Sequence, residues 1–184
     1  MIIESGDYKE DLSKEVRRIQ RLLNRVDLED LESYYFKLEK FLFVTSFLIR
    51  KLIESKKLSD ELENDSFFFE KAPVRDIDGV RDFLSKSITH YNLSNRGPAY
   101  LNLSDLTNLF IHSYVFTLSI NEGKFELLVT SDWRKENLYF LRLDAFFAIC
   151  NKVSRDEIRY IHVQRRGSDS FRSIIQKSFF RNKP

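Results

Sequence analysis

The sequence predicts an α+β fold, on three observations. Over roughly the first 65 residues the apolar positions recur with the period of amphipathic helices. From Tyr114 onward they alternate as in strands, interrupted by turn signals. All five glycines (Gly6, Gly79, Gly97, Gly123, Gly167) fall between the elements so assigned, so local turn chemistry agrees with the longer-range pattern. The expected architecture is an N-terminal antiparallel helical hairpin packed with a small, mainly antiparallel β-sheet of residues 114–164, with flanking short helices covering one face. One domain is expected over 1–184, with the hairpin in 1–65 and a sheet-containing part, ending in a basic C-terminal helix, in 66–184.

Residues 8–25 read as an amphipathic helix, with Leu12, Val16, Ile19, Leu22 and Leu23, and Val26 just past its end, on one side and Lys14, Arg17, Arg18, Arg21 and Arg25 largely opposite. Asp27 is a candidate N-cap for the next helix, placing Glu29 and Asp30 in its first turn. That central helix runs from Leu28 to Leu58, about 45 Å long, with Lys56 and Lys57 in its last turn. Leu31, Leu38, Thr45 and Leu52, interleaved with Tyr35, Leu42 and Ile49, make one apolar face. Phe36, Phe43 and Phe47 make a second stripe, so the helix is expected to be packed from two sides, between the first helix and the sheet.

Ser59–Ser66 is acidic and reads as a loop or short turn, and Phe67–Phe69 as a brief strand. Residues 76–89 have a weak helical pattern, and His90–Tyr100 is dense in turn formers around Gly97-Pro98. Ser104 and Asp105 open a short helix ending at His112. Tyr114–Ile120 and Phe125–Thr130 flank Asn121-Glu122-Gly123-Lys124, a hairpin signal. Asn137–Leu143 is a third strand, Asp144 caps a helix over 145–152, and Ile158–Gln164 is a fourth strand. Phe171, Ile174, Ile175, Ser178 and Phe179 follow helical spacing, with Ser168 or Asp169 as cap.

At 184 residues with 17 Phe and 8 Tyr, the chain has ample material for an aromatic core. A chain of this size buries roughly 70% of the surface its unfolded form exposes and needs no covalent staple. Cys150 is the single cysteine, set among Phe146, Phe147, Ala148 and Ile149, and is expected to be buried in a reducing compartment. No apolar run reaches the roughly 20 residues a membrane span requires. The opening Met-Ile-Ile-Glu-Ser-Gly-Asp has neither the basic nor the apolar region of a signal peptide, so a cytoplasmic location without membrane contact is expected. The net charge of +2 is unevenly spread. Arg165–Pro184 holds six basic residues against Asp169, a net of +5 that leaves −3 for the rest.

No zinc-ligand spacing, glycine-rich phosphate loop, dinucleotide fingerprint, nucleophile elbow or Asp-rich calcium loop occurs, so no cofactor and no metal site is expected. The weak catalytic candidates are His90, His112, Arg155 and His162. The His90–Tyr100 stretch is the candidate ligand-binding loop, through Tyr91, Asn92, Asn95, Arg96 and Tyr100, with Arg96 as anion-binding guanidinium. Arg165, Arg166, Arg172, Lys177, Arg181 and Lys183 are the candidate nucleic-acid contacts, a single strand giving a salt slope of about −0.7 per phosphate neutralised.

Arg155 and His162, separated by six residues with Asp156 after the arginine, resemble the Arg-x(4–6)-His signature of HEPN ribonucleases. The resemblance covers that motif and the long N-terminal helices; it implies an all-helical fold and metal-independent RNA cleavage. In that family the motif sits on a helix, whereas Glu157–Gln164 here alternates as a strand does. The expected function is a small, soluble, non-catalytic binding or regulatory module acting through a protein partner or self-association. The alternative is a nucleic-acid-associated protein, or a metal-independent ribonuclease or toxin of the HEPN-like type.

Overall fold

The computed structural model describes residues 5–25, 31–76, 87–121, 124–158, 160–166 and 170–177. Helix α1 (Gly6–Leu23) buries Leu12, Val16 and Ile19, spaced by four and three so that they share one face. Helix α2 (Leu31–Glu54) buries Leu38, Leu42, Thr45, Ile49 and Leu52, the face that the seven-residue spacing predicts. It is shorter than expected and stops before Lys56 and Lys57. Lys56 adopts a left-handed backbone (φ 53°), and Lys57 N–H donates to the Leu52 carbonyl (2.9 Å) while Lys56 N–H donates to that of Ile53 (3.0 Å). This pair of bonds is a Schellman cap, which closes the helix whatever helical propensity follows. The proposed Asp27 cap lies outside the described residues.

Ser59 then caps the one-turn helix α3 (Asp60–Glu63), its side chain accepting from Leu62 N–H. Strand β1 (Phe67–Pro73) is longer than the three phenylalanines suggest, and β2 (Gly97–Leu101) is built from the second half of the supposed loop. Between them Ile88–His90 forms a 3₁₀ turn; most of the weakly helical stretch 76–89 lies outside the described residues. Helix α4 (Leu103–Ile111) starts from Asn102, whose side chain accepts from Asp105 N–H. Strands β3 (Ser113–Asn121), β4 (Lys124–Ser131) and β5 (Asn137–Arg142) follow, then helix α5 (Leu143–Arg155). Asp144 sits inside the first turn of α5 and Arg142 occupies the cap position.

The fold is α+β, as the sequence predicts, but the sheet has a different membership. Its order is β2-β1-β5-β4-β3, antiparallel throughout, so β1 and β2 join the three strands from 113–142. Pro98 fits because β2 is an edge strand, where its missing N–H goes unused. Residues 160–166 do not join this sheet: β6 (Tyr160–Arg166) pairs with β7 (Ser170–Lys177) in a separate two-stranded sheet. Over residues 170–177 the expected basic C-terminal helix is therefore corrected to a strand, and its continuation past Lys177 lies outside the described residues. Helical spacing at 171, 174 and 175 is a local signal. Adjacent β-branched Ile174 and Ile175, with a neighbouring strand to pair with, favour the extended form.

Helices α4 and α5 lie on one face of the five-stranded sheet, with α2 over α4 and α1 over α5. The main core fills that space. Phe41 of α2, Phe110 of α4 and Phe146 of α5 meet edge-on, with ring centroids 5.3 Å apart for Phe110–Phe146 and 6.1 Å for Phe41–Phe146. Cys150 is fully buried there, and burial pushes its thiol pKa up. The opposite face of the sheet carries a smaller cluster: Ala72, Tyr114, Val115, Leu128, Leu138 and Phe140, covered by Tyr91.

One buried polar joint ties three helix ends together. Asp156, just past α5, accepts from Ser59 N–H (2.8 Å) and Ser59 Oγ (2.7 Å). Lys9 of α1 donates to the Asp156 carbonyl (2.6 Å) and lies 3.7 Å from its carboxylate. Burial holds the Lys9 pKa below its usual value, against the pull of Asp156.

Candidate interaction site

Helix α2 is not covered on both sides. Of the second aromatic stripe, Phe43 packs against Phe116 of β3 (6.1 Å between centroids), and Tyr35 donates to the Phe116 carbonyl (3.0 Å). Phe36 and Phe47 instead face solvent at 65% and 55% exposure, with Val44 between them at 55%. Packing from the second side therefore holds for Phe43, which meets the sheet, and not for Phe36 or Phe47. Large apolar groups gathered on one exposed helix face are a feature that interaction surfaces share.

Beside this face, α1 and α2 line a groove of about 1300 Å³. Leu12, Phe41, Thr45 and Leu48 line its depth, and Tyr8, Val44 and Phe47 stand more exposed along it. Its charged residues are of both signs and locally paired. Arg18 meets Glu15 at 2.8 Å, and Glu54 takes Lys51 at 2.7 Å and Arg50 at 2.9 Å, which lowers the Glu54 pKa. Lys51 Nζ also sits 5.4 Å over the Phe47 ring. The groove has the shape and chemistry that receives an amphipathic helix: an apolar bed between two helices with a polar rim. The sequence marks its aromatic stripe but not that the stripe goes uncovered.

The predicted ligand loop is put to other uses. Tyr91 is buried under the sheet, donates to the Lys135 carbonyl (3.0 Å), and burial pushes its pKa to about 12. Asn92 and Asn95 are exposed and shape the turn through backbone bonds to Pro73 and Asn92. The Arg96 guanidinium stacks 3.7 Å from the Phe140 ring centre and pairs with Glu126 (3.2 Å) and Glu70 (3.4 Å). Its charge is already met by two carboxylates. Tyr100 is exposed on β2, edge-on to Phe68 at 5.7 Å. Arg96 and Tyr100 thus lie on the sheet surface, whereas Tyr91 turns inward.

The catalytic candidates have different neighbours. His90 Nδ1 lies 3.1 Å from Asp76 Oδ2. His112 is exposed at the end of α4, its carbonyl accepting from Asp132 N–H. Arg155 is exposed on the last turn of α5, and His162 stands opposite Ile175 in the β6–β7 register. The HEPN-like motif therefore straddles a helix end and a strand within an α+β fold, which departs from the helical setting that resemblance implies. Of the basic candidates, Arg165 and Arg166 are on β6 opposite Phe171 and Ser170, and Arg172 and Lys177 are on β7. Arg181 and Lys183 lie outside the described residues. Among the described residues no group of three or more His, Cys, Asp or Glu is placed to hold a metal ion, and no helix is long and apolar enough to cross a membrane.

Compared with protein-family models, curated proteins and solved structures, the chain gives no match.

Proposed function

We propose that the protein is a non-catalytic binding module that docks a helical segment of a protein partner along the α1–α2 groove. The observation that carries this reading is the uncovered line of Phe36, Val44 and Phe47 beside an apolar bed. An interface needs a desolvated apolar centre with a polar rim, and the paired charges at Glu15–Arg18 and Lys51–Glu54 supply such a rim. The test uses a fluorescent amphipathic helical peptide of Leu, Lys and Glu and a scrambled peptide of the same composition. Binding of the first alone, abolished by Val44→Glu, is the expected result. Equal binding of both peptides, or binding untouched by Val44→Glu, refutes the reading.

A second reading rests on the β6–β7 pairing. A two-stranded ribbon is one of the shapes the DNA major groove admits, and residues 160–166 and 170–177 include Arg165, Arg166, Arg172 and Lys177 with no acidic residue. Four phosphate contacts give a salt slope of about −3.6 on duplex DNA and about −3 on a single strand. Affinity retained after removal of residues 160–184 ends this reading.

A further inference from the structure

The exposed face of α2 has a pattern that points to its occupant. Phe36, Lys40, Val44, Phe47 and Lys51 are all exposed and recur at intervals of four, four, three and four residues, so they form one stripe along the helix. Pairing this stripe with an identical one running the other way, about a two-fold axis between positions 43 and 44, sets 36 opposite 51 and 40 opposite 47. Each phenylalanine then faces a lysine of the other copy, and Val44 lies beside the axis. Exchanging Phe for Lys and reversing the direction reproduces the stripe, which is the self-complementarity a two-fold interface requires. Lys–aromatic contacts are attractive where lysine–lysine contacts are repulsive, and Lys51 already shows the geometry by lying over Phe47 of its own chain. Lys37, also exposed on this helix, falls outside the four-four-three-four spacing of the stripe and lies 5.5 Å over the Tyr34 ring, while Lys51 reaches Phe36 of the other copy by turning from its own Glu54 (2.7 Å).

We infer that the surface is a self-association site, in which two copies pair antiparallel through α2 and each places Val44 and Phe47 toward the α1–α2 groove of the other. This rests on the docking reading above and names its partner as a second copy of the chain. The stripe from Phe36 to Lys51 is about 22 Å long, which makes a small interface and a concentration-dependent dimer rather than an obligate one.

The test is sedimentation equilibrium over a wide concentration range, together with electron-spin distance measurements and the helical peptide assay. Wild-type protein is expected to dimerise reversibly. Phe47→Lys sets lysine against lysine twice and weakens the dimer by about tenfold or more. The exchange variant Lys40→Phe/Phe47→Lys restores Phe–Lys facing and recovers the dimer. Spin labels at position 44 are expected close together, and labels at position 51 separated by about 22 Å along the helix axis. A dimer unaffected by Phe47→Lys, failure of the exchange variant to recover it, or short distances at both positions overturns the arrangement. A monomer at every concentration that still binds the amphipathic peptide retires self-association alone; a monomer that binds no peptide retires the docking reading as well. Circular dichroism of the two variants, altered only at exposed positions, separates loss of pairing from loss of folding.

Discussion

Replacing Asp156 with alanine removes the acceptor on which three helix ends converge, and the structure sets the size of the loss. Two short bonds from Ser59 disappear, and Lys9, buried near the start of α1, loses the carboxylate 3.7 Å from its ammonium. Stranding one member of a buried ion pair costs about 3–5 kcal/mol, because the remaining charge has neither water nor a counterion. The Asp156 backbone carbonyl still accepts from Lys9 in the variant, which favours the lower part of that range. Urea unfolding followed by circular dichroism is the assay, with an expected midpoint shift on the order of 1–2 M. Lys9→Met is expected to cost less, about 1–3 kcal/mol, since Asp156 keeps both donors from Ser59. The double variant is then less destabilised than the sum of the singles, as residues sharing one network require. A pH series adds an independent sign. The folded-state pKa of Lys9 is already lowered, so between that lowered value and 10.5 the folded protein holds fewer protons than the unfolded chain, and stability from this group rises with pH across that window. Without Asp156 the lowering deepens, and the deficit of the alanine variant narrows from neutral to alkaline pH. A Asp156→Ala protein within 1 kcal/mol of wild type, or strict additivity in the double variant, refutes the reasoning.

Three further outcomes follow from other parts of the fold. At position 56, whose left-handed backbone closes α2, Lys56→Gly is expected to be more stable than Lys56→Ala by about 0.5–1 kcal/mol in urea unfolding, both variants having lost the same side-chain contacts. Ser46→Ala removes a fully buried hydroxyl without a hydrogen-bond partner from the middle of α2, and is expected to be neutral or stabilising by up to about 1 kcal/mol in thermal unfolding. Cys150 and Tyr91 both have raised pKa values in the folded state, so the stability they protect is intact below their unfolded values and is lost as pH climbs above about 9 for the thiol and 10 for the phenol. Each contributes a fall of at most about 1.4 kcal/mol per pH unit, and Cys150→Ala flattens the thiol's part of the alkaline loss even though the smaller side chain lowers stability at neutral pH.

Periodicity determined much of this protein directly. The buried face of α1, the seven-residue face of α2, the β3–β4 hairpin, the burial of Cys150 and the α+β class are consequences of residue spacing and turn chemistry, which act over a few positions. What spacing leaves open is which partner each element meets. Phe36 and Phe47 read as core because apolar residues on a helix usually are; only the positions of α1 and the sheet decide that, among the described residues, they stay exposed. Arg96 reads as a free anion binder because Glu70 and Glu126, 26 and 30 positions away in the chain, reach it only once β1 and β4 are aligned with β5. Residues 170–177 read as a helix because their apolar spacing is helical, whereas a strand at 160–166 offers a pairing that no local pattern records. The sheet's order, β2-β1-β5-β4-β3, likewise joins segments from both halves of the chain. Local preference is set by each residue and its near neighbours along the chain, but burial, charge pairing and strand partnership are properties of contacts between distant segments. Those contacts decided which aromatic stripe became core and which became the surface of the candidate site.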